Sequence, residues 1–254
     1  MHLRPYEPRD ISSIATITAL CNLTDPLECF RNRNMETWWL TYRNSVMREL
    51  KMMLLMPSVV CVVVEGDAGD AVLERDVERD VRNEVVGLAI WEREGEGKEQ
   101  RGSFWSGMGG LGYGFAVKLM LVTELNRFLH STTMKYFSFW DPTAHRKNAA
   151  LLQPVISAEC PEATFKKFWH LHGLFILPTC QRRGLGALAL QWGIDQATSE
   201  HVPIVVNASS RGVGLYEKMG FRGVMKQEFD QFFETGERGM WVMVWNPEGH
   251  EKLN

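Results

Sequence analysis

The feature that most constrains the fold of this chain is a strand, a glycine turn, a helix and a second strand in its last third. The turn reads QRRGLG and continues into ALALQWGIDQATSE. The flanking segments FWHLHGLFI and VPIVVNA are rich in apolar and β-branched residues, as buried strands are. The helix residues that predict one buried face are Leu185, Leu188, Ala189 and Trp192. Strands that alternate with helices predict an α/β layer fold.

The rest of the chain predicts further strands and helices around this unit. HLRPYEP predicts a short strand before a helix, and SVVCVVVE and EVVGLAIWERE predict two buried strands with a solvated hairpin loop between them. RGVGLYEKMG predicts a short helix, and two strands follow it. A helical region from about 25 to 56 is rich in Met and Trp, which favours core packing, with a ligand groove as the alternative. We expect a single domain, residues 1–254, with an insert at about 95–166.

Composition and charge exclude several classes of protein. The 254 residues carry a formal net charge of −3, which argues against nucleic acid as the main partner. The five cysteines include no C-x-x-C pair and no zinc spacing, so we expect reduced thiols and no metal. The charged start MHLRPYEPRD does not fit a signal peptide, and no apolar run is long enough to span a bilayer. We therefore expect a cytoplasmic protein without a membrane partner.

The glycine turn predicts an anion site. The first turn of a helix leaves backbone N–H groups without partners, and the helix dipole favours negative charge there. Gly184 and Gly186 let the backbone approach a bulky anion, and Arg182 and Arg183 add positive charge. The turn lacks the pattern of a triphosphate P-loop and that of a dinucleotide fingerprint. Taken alone, it is equally typical of an ordinary strand-to-helix turn.

Two segments together resemble the GCN5-related N-acetyltransferase (GNAT) superfamily. They are HLHGLFILPTCQRRGLG and NASSRGVGLYEKMGF, which match the superfamily's strand, pyrophosphate loop and L-Y-x-x-x-G-F-like segment. The resemblance covers about 169–245 and the opening strand and helix, whereas about 95–165 has no counterpart. It implies the GNAT fold, an α/β fold with a mixed central sheet, helices on both faces and here a central insert.

The resemblance also implies acetyl-CoA as co-substrate, without a metal, and the residues that hold it. The pantetheine arm is expected to bond the backbone of Leu174, Phe175 and Ile176, and Asn207 is expected to contact the pantetheine or adenine side. The pyrophosphate is expected on the loop amides, and the loop residues are Gln181, Arg182, Arg183, Gly184, Leu185, Gly186 and Ala187.

Acetyl transfer to an amine requires a base, because only the neutral amine attacks. An alkyl amine resembles lysine, with a pKa of about 10.4, so its deprotonation near neutral pH costs on the order of 4–5 kcal/mol. Histidine is the natural base at this pH. His170 and His172 lie two apart on one strand, so their side chains share a face. The alternative is that they are structural histidines.

The resemblance narrows these roles. Within the superfamily, HLHGLFI is most similar to the strand of arylalkylamine N-acetyltransferases, in which two such histidines carry the proton of the amine. This implies that His170 and His172 form the base or proton relay. Tyr216 matches the family tyrosine that donates a proton to the CoA sulfur. A strand bulge near Ile176 is expected to provide an N–H for the developing oxyanion.

These observations predict an acetyl-CoA-dependent N-acetyltransferase that acts on a small primary amine by direct attack in a ternary complex. Aromatic residues and methionines from the helical region at 25–56 and from GSFWSGMGGLGYGF are expected to wall the acceptor pocket, which favours an aromatic or hydrophobic amine. Two alternatives stay open: a protein acetyltransferase that modifies a lysine or an N-terminus, and a non-catalytic module that binds CoA.

Overall fold

The computed structural model describes residues 1–74, 77–95, 141–156, 165–228 and 239–249. Its helices are α1 (Ile11–Asn22), α2 (Pro26–Arg31), α3 (Trp39–Met53), α4 (Arg146–Ile156), α5 (Leu185–Glu200) and α6 (Val213–Lys218). Its strands are β1 (His2–Pro5), β2 (Val59–Glu65), β3 (Ala71–Glu74), β4 (Val77–Asp80), β5 (Val85–Gly95), β6 (Lys167–Ile176), β7 (Ile204–Ser209), β8 (Arg222–Glu228) and β9 (Gly239–Trp245). The glycine-rich stretch GSFWSGMGGLGYGF lies outside the described residues.

Seven strands form one mixed sheet in the order β1-β2-β5-β6-β7-β9-β8. Neighbouring strands are antiparallel except β6 and β7, which run parallel and are joined by α5. A parallel pair needs a crossover connection, and the helix after the glycine turn supplies it. The predicted α/β architecture with a mixed central sheet is therefore confirmed.

The sheet separates two apolar cores, and β2 shows how one sequence serves both. Val60, Val62 and Val64 pack on the side of α5, whereas Val59, Cys61 and Val63 pack on the side of α1 and α3. A strand that is buried on both faces is a continuous apolar run rather than an alternating one, which explains the sequence VVCVVV. Helices thus cover both faces of the sheet at the centre of the molecule.

Two local predictions were wrong. The segment between β2 and β5 contains the antiparallel hairpin of β3 and β4 rather than only a solvated loop, and Val81 after it is fully buried. Leu188 was expected on the buried face of α5, but 38% of it is exposed, whereas Leu190 is buried. The buried stripe of α5 descends from Leu185 through Ala189 to Gly193 and Ala197, which is a repeat of four that leaves Leu188 beside it.

The described residues contain four cysteines, Cys21, Cys29, Cys61 and Cys180, and all four are free thiols. Among the described helices, none combines the length and the apolar composition that crossing a membrane requires.

Candidate active site

A cleft opens where the two parallel strands separate. The ladder between β6 and β7 contains only three pairs, Trp169–Ile204, His170–Val205 and Leu171–Val206. Beyond Leu171, β6 stays paired to β5 on its other edge, and beyond Val206, β7 stays paired to β9. The facing edges of the two strands therefore present unpaired ladder positions to the cleft, as far as the described residues extend.

The backbone of β6 presents alternate residues to this cleft. The N–H of Leu177, the residue just after β6, donates to the carbonyl of Val86 on β5, so Leu177 and Phe175 point their amides toward β5. The amides of Leu174 and Ile176 then face the cleft. In agreement with this, the carbonyl of Ile176 accepts bonds from Gln181 Nε2 at 3.0 Å and from Cys21 Sγ at 3.3 Å.

A β-bulge lies at His172, and it changes the predicted position of the oxyanion donor. Leu171 pairs with Trp91 and Gly173 with Ile90, so His172 is the extra residue of β6. The sequence predicted the bulge near Ile176, whereas the structure places it four residues earlier, at His172. Since bulges re-aim side chains and disrupt the ladder, the N–H of Leu174 becomes the free donor nearest to His172 on the cleft edge.

The loop between β6 and α5 ends in a helix N-terminus with little side-chain cover. Gly184 is the N-cap residue in the left-handed conformation, with φ of 80°, which favours glycine. The first intrahelical bond runs from Leu188 N to Gly184 O, so the N–H groups of Leu185, Gly186 and Ala187 have no helical partner. A Cβ on Gly186 would lie 3.1 Å from Leu215 Cδ2, and the absence of this carbon keeps the helix close to α6.

The remaining loop residues lie in different surroundings. Gln181 uses its side-chain amide on Ile176, as described above, and thereby ties the loop to the cleft edge of β6. Arg183 Nη1 donates to the carbonyl of Ala71 at 2.5 Å, so the guanidinium group holds the β3–β4 hairpin. Arg182 is exposed and has a positive φ of 62°.

Asn207 lies on β7 at the first position beyond the last pair with β6. Its Oδ1 atom is buried and has no hydrogen-bond partner among the described residues. A buried acceptor without a partner is costly, so a donor from a bound molecule would satisfy it.

On the other face of the sheet, the two predicted histidines come together. The rings of His170 and His172 have centroids 4.3 Å apart. His172 Nε2 lies 2.6 Å from Glu92 Oε2, and Glu92 Oε1 accepts a bond from Ser58 Oγ at 2.9 Å. The side chain of Glu92 is 6% exposed and that of His172 is 24% exposed. A buried carboxylate thus fixes the orientation of the accessible imidazole.

The two histidines differ electrostatically. Burial, with a further contribution from the neighbouring His172, lowers the pKa of His170 to about 4, although Glu92 opposes this shift. His170 is therefore neutral near pH 7. Since His172 is the more accessible ring and the one bonded to the carboxylate, it is the better placed base of the pair.

Tyr216 lies on α6 and is 6% exposed. It packs in the core on the α5 side of the sheet, edge-on to Phe221, and not in the cavity beside His172. Burial raises the pKa of its hydroxyl above the usual value, so it keeps its proton at neutral pH. The structure therefore keeps the predicted acid and the predicted base on opposite sides of β6.

A cavity of about 370 Å³ adjoins His172 on the α1 and α3 side. Ile90, His172 and Phe175 form its sheet wall. Polar residues are numerous on its other walls, although apolar atoms contribute the larger part of the exposed lining, and the polar residues are Thr18, Asn22, Glu28, Arg31, Asn32, Tyr42, Ser45, Arg48, Glu49, Asp141, Thr143, His145 and Arg146. Because GSFWSGMGGLGYGF lies outside the described residues, the predicted apolar lining stays a prediction. Of the helical region at 25–56, one methionine and one aromatic residue line it, Met53 and Tyr42.

Sequence reasoning missed Glu92 and the residues of the polar walls. A signal for Glu92 existed, because it follows Leu88 and Ile90 at period two and so falls on the buried face of an apolar strand. A carboxylate at such a position needs a partner, and His172 and Ser58 provide it. Within the described residues, no group of three or more metal-ligating side chains is found.

Comparison with known proteins now adds to this geometry. Residues 154–233 match the family model of the acetyltransferase (GNAT) domain. A solved structure from Corynebacterium glutamicum, described as histone acetyltransferase HPA2 and related acetyltransferase, is similar over 97% of this chain and 96% of its own. It is 14% identical, with a TM-score of 0.53. No curated protein sequence matches the chain significantly.

Two further solved structures are more distant. Arylalkylamine N-acetyltransferase 2 from Aedes aegypti is 10% identical, covers 97% of this chain and 98% of its own, and has a TM-score of 0.49. NAA60 from Arabidopsis thaliana, solved with a bisubstrate analogue, is 10% identical, covers 98% of each chain, and has a TM-score of 0.47. With TM-scores below 0.5, neither likeness carries an argument about this chain, and the shared fold rests on the structure from Corynebacterium glutamicum.

Proposed function

Because residues 154–233 match the acetyltransferase (GNAT) domain model and the chain shares its fold with a solved acetyltransferase, we propose that it transfers the acetyl group of acetyl-CoA to the primary amine of a small molecule, by direct attack in a ternary complex. The observation that carries the proposal is the accessible His172, bonded to the buried Glu92, between a cavity and the open edge of β6. The two substrates would meet at this position from opposite sides.

The cleft between β6 and β7 fits the pantetheine arm of acetyl-CoA. The amides of Leu174 and Ile176 face the cleft and can bond an extended molecule, because β7 pairs with β6 only up to Leu171. The carbonyl of Ile176 is already bonded to Gln181 and Cys21. The orphaned Oδ1 of Asn207 lies on the facing strand. The free amides of Leu185, Gly186 and Ala187, at the positive end of a sixteen-residue helix, fit the pyrophosphate.

His172 would act as the base. With Nε2–H donated to Glu92, Nδ1 carries a lone pair and accepts the proton of the attacking ammonium. The carboxylate stabilises the positive charge that the imidazole then acquires, and the bond to Ser58 keeps the carboxylate in place. His170, whose ring lies beside that of His172, stays neutral at pH 7 because its pKa is low, so it would orient the path by which the proton leaves through water rather than hold the proton itself.

The other charges of the reaction fall on the cleft side. As the amine nitrogen bonds to the thioester carbon, negative charge develops on the carbonyl oxygen, and the N–H of Leu174 is placed to bind it. When the C–S bond breaks, the sulfur needs a proton. Tyr216 lies on the cofactor side of the sheet and is protonated at neutral pH, so its hydroxyl would donate a hydrogen bond to the departing thiolate. Because burial raises the pKa of this hydroxyl, the thiolate would take its proton from water once CoA leaves the site.

The experiment is an assay of the purified chain with acetyl-CoA and a panel of small amines. Thiol release and the mass of the acetylated product are measured together, and acetyl-CoA binding is measured by calorimetry. We expect thiol release that requires an amine and matches the amount of product. Faster acetylation of peptides than of any small amine would favour a protein acetyltransferase. Tight acetyl-CoA binding without turnover of any amine or peptide would favour a non-catalytic module.

A further inference from the structure

One wall of the cavity beside His172 consists of two stretches that are distant in the sequence. The end of α2 pairs in antiparallel fashion with a stretch of the predicted insert. The N–H of Arg33 donates to the carbonyl of Thr143 at 2.8 Å, and the N–H of His145 donates to the carbonyl of Arg31 at 3.1 Å. Arg31, Thr143 and His145 all line the cavity. This wall therefore keeps its shape only while the two stretches stay paired.

The helix α2 depends on the insert because it has little packing of its own. It contains six residues, none of them buried, and isolated helices shorter than about 12 residues are marginal in water. The last carbonyls of a helix lack intrahelical partners. In α2, the carbonyl of Arg31 accepts the bond from His145, and that of Phe30 accepts one from Asn148 Nδ2 at 2.7 Å. Residues of the insert thus cap the end of this helix.

Asn148 lies on α4 and connects both stretches of the wall. Its side chain reaches Phe30 on α2, and its backbone N–H donates to His145 Nδ1 at 3.3 Å. The residue is 8% exposed, so water has little access with which to replace its amide group at the carbonyl of Phe30. Asn148 is not among the described residues that line the cavity. It can act on a bound molecule only through the wall that it holds.

A second bond fixes the other end of the insert stretch to α3. Ser45 Oγ donates to Asp141 Oδ2 at 3.0 Å. The helix α3 is firmly placed, because it has buried residues on its inner face. Residues 141–149 therefore join a helix with a buried face to a helix without one. Loss of the bond from Asn148 would free the α2 end of the wall and leave the α3 end attached.

Given the proposed function, on which this role rests, we propose that Asn148 is a positioning residue for the acceptor amine. It holds the paired wall in the arrangement in which a bound amine meets His172 on the sheet wall. Without its bond, α2 would occupy other positions as well, and the apparent affinity for the amine would fall in proportion to the fraction of chains with the wall in place. The base and the cofactor cleft belong to the sheet and to α5, so the chemical step and acetyl-CoA binding would be preserved.

The test uses two variants of Asn148 and one matched control. The variants are Asn148→Ala and Asn148→Ser, whose shorter side chain also lacks the amide. The control is Asn44→Ala, at an exposed asparagine of α3 that does not contribute to the described lining of the cavity. KM and kcat are measured for the amine that the wild-type chain acetylates fastest, and calorimetry gives the Kd and the stoichiometry of acetyl-CoA. Hydrogen exchange of the Arg33 and His145 amides is measured in the free chain.

We expect the KM for the amine to rise about tenfold in both Asn148 variants, as for the loss of one hydrogen bond to a buried group. The kcat and the Kd of acetyl-CoA should stay within about twofold, because neither depends on this wall. The amides of Arg33 and His145 should exchange about tenfold faster, since the pairing that protects them opens more often. Asn44→Ala should match the wild-type chain in every measurement.

A lower kcat or stoichiometry at an unchanged KM would give Asn148 a merely structural role and overturn the inference alone. Faster exchange at an unchanged KM would do the same, as would a higher KM with unchanged exchange. Acetyl-CoA binding by the wild-type chain without turnover of any amine would overturn the proposed function, and this role with it.

Discussion

The two sides of β6 differ in the groups that they present: backbone amides on one side and side chains on the other. Toward β7 and α5, the cleft offers backbone groups: the edge amides of Leu174 and Ile176 and the first amides of α5. Toward α1 and α3, the cavity offers side chains, with His172 and Glu92 on the sheet and Glu28 on a helix. The comparison teaches that a site formed by backbone groups depends on strand and helix geometry, whereas a site formed by side chains depends on the particular residues brought together.

The largest effect on activity is expected on the side of β6 that presents side chains, where His172 lies. Replacement His172→Gln removes the base, and general-base catalysis contributes roughly 10²- to 10⁴-fold. We expect kcat to fall by about 1000-fold, with the Kd of acetyl-CoA changed less than twofold. Rates and calorimetry measure the two quantities, and His2→Gln, at an exposed histidine on β1, serves as the control. A variant with normal kcat would remove His172 from the mechanism.

A second prediction concerns the neutral partner of that base. His170 has a pKa of about 4 in the folded chain and about 6.5 when unfolded. Between these values the unfolded chain binds a proton that the folded chain does not, so the free energy of unfolding decreases as the pH falls. We expect His170 to account for about 3 kcal/mol of this decrease, complete below about pH 4.

Urea unfolding of the wild-type chain and of His170→Gln, at pH 7 and at intervals below it, measures this contribution. The variant should lose less stability than the wild-type chain over the same interval, since every other titrating group is common to both. Equal pH dependence in the two proteins would mean that His170 is not buried in neutral form.

On the side of β6 that presents backbone amides, the affinity for acetyl-CoA should depend more on the backbone conformation of one residue than on any side chain. Gly184→Ala places a Cβ on a residue with φ of 80°, at a cost of about 1–2 kcal/mol, and displaces the start of α5. We expect the Kd of acetyl-CoA to rise about tenfold. Gly214→Ala is the matched control, because its Cβ would enter open space. A similar Kd for both variants would show that the loop conformation does not set affinity.

The smallest effect is expected from a charged side chain in the same loop. Arg183 donates to the carbonyl of Ala71, so its guanidinium group is engaged with the hairpin. We expect Arg183→Gln to change the Kd of acetyl-CoA by about threefold or less, as for the loss of one ordinary hydrogen bond. A change well above tenfold would mean that arginine charge, and not the helix amides, holds the pyrophosphate, and the contrast between the two sides of β6 would fail.

The sequence predicted features that depend on neighbouring residues and missed features that depend on distant ones. QRRGLG after a strand specifies a local turn, since glycine conformation and a helix N-terminus are properties of neighbouring residues, and the α/β fold was confirmed. The histidine pair was found because strand alternation is also local. The bulge at His172 was misplaced, because a bulge depends on the partner strand.

The acceptor cavity could not be read from the sequence. Glu28, Tyr42 and Asp141 come from three separate segments, and only the packing of α2 and α3 against the sheet brings them together. The methionine and tryptophan content of the helical region favoured core packing, and Met35, Met47 and Trp39 do pack in the core on the α1 and α3 side. Glu92 was within reach of a pattern argument, but its partnership with Ser58 and His172 requires the pairing of β2 and β6 on either side of β5.

The central claim is that Glu92 holds His172 as the base of acetyl transfer, and Glu92→Gln tests it most directly. The pH profile of kcat is measured with the wild-type chain and the variant, together with the Kd of acetyl-CoA. The account predicts that kcat falls by about 100-fold, that the acid limb of the profile moves, and that the Kd stays within twofold. An unchanged kcat with an unchanged pH profile would contradict it.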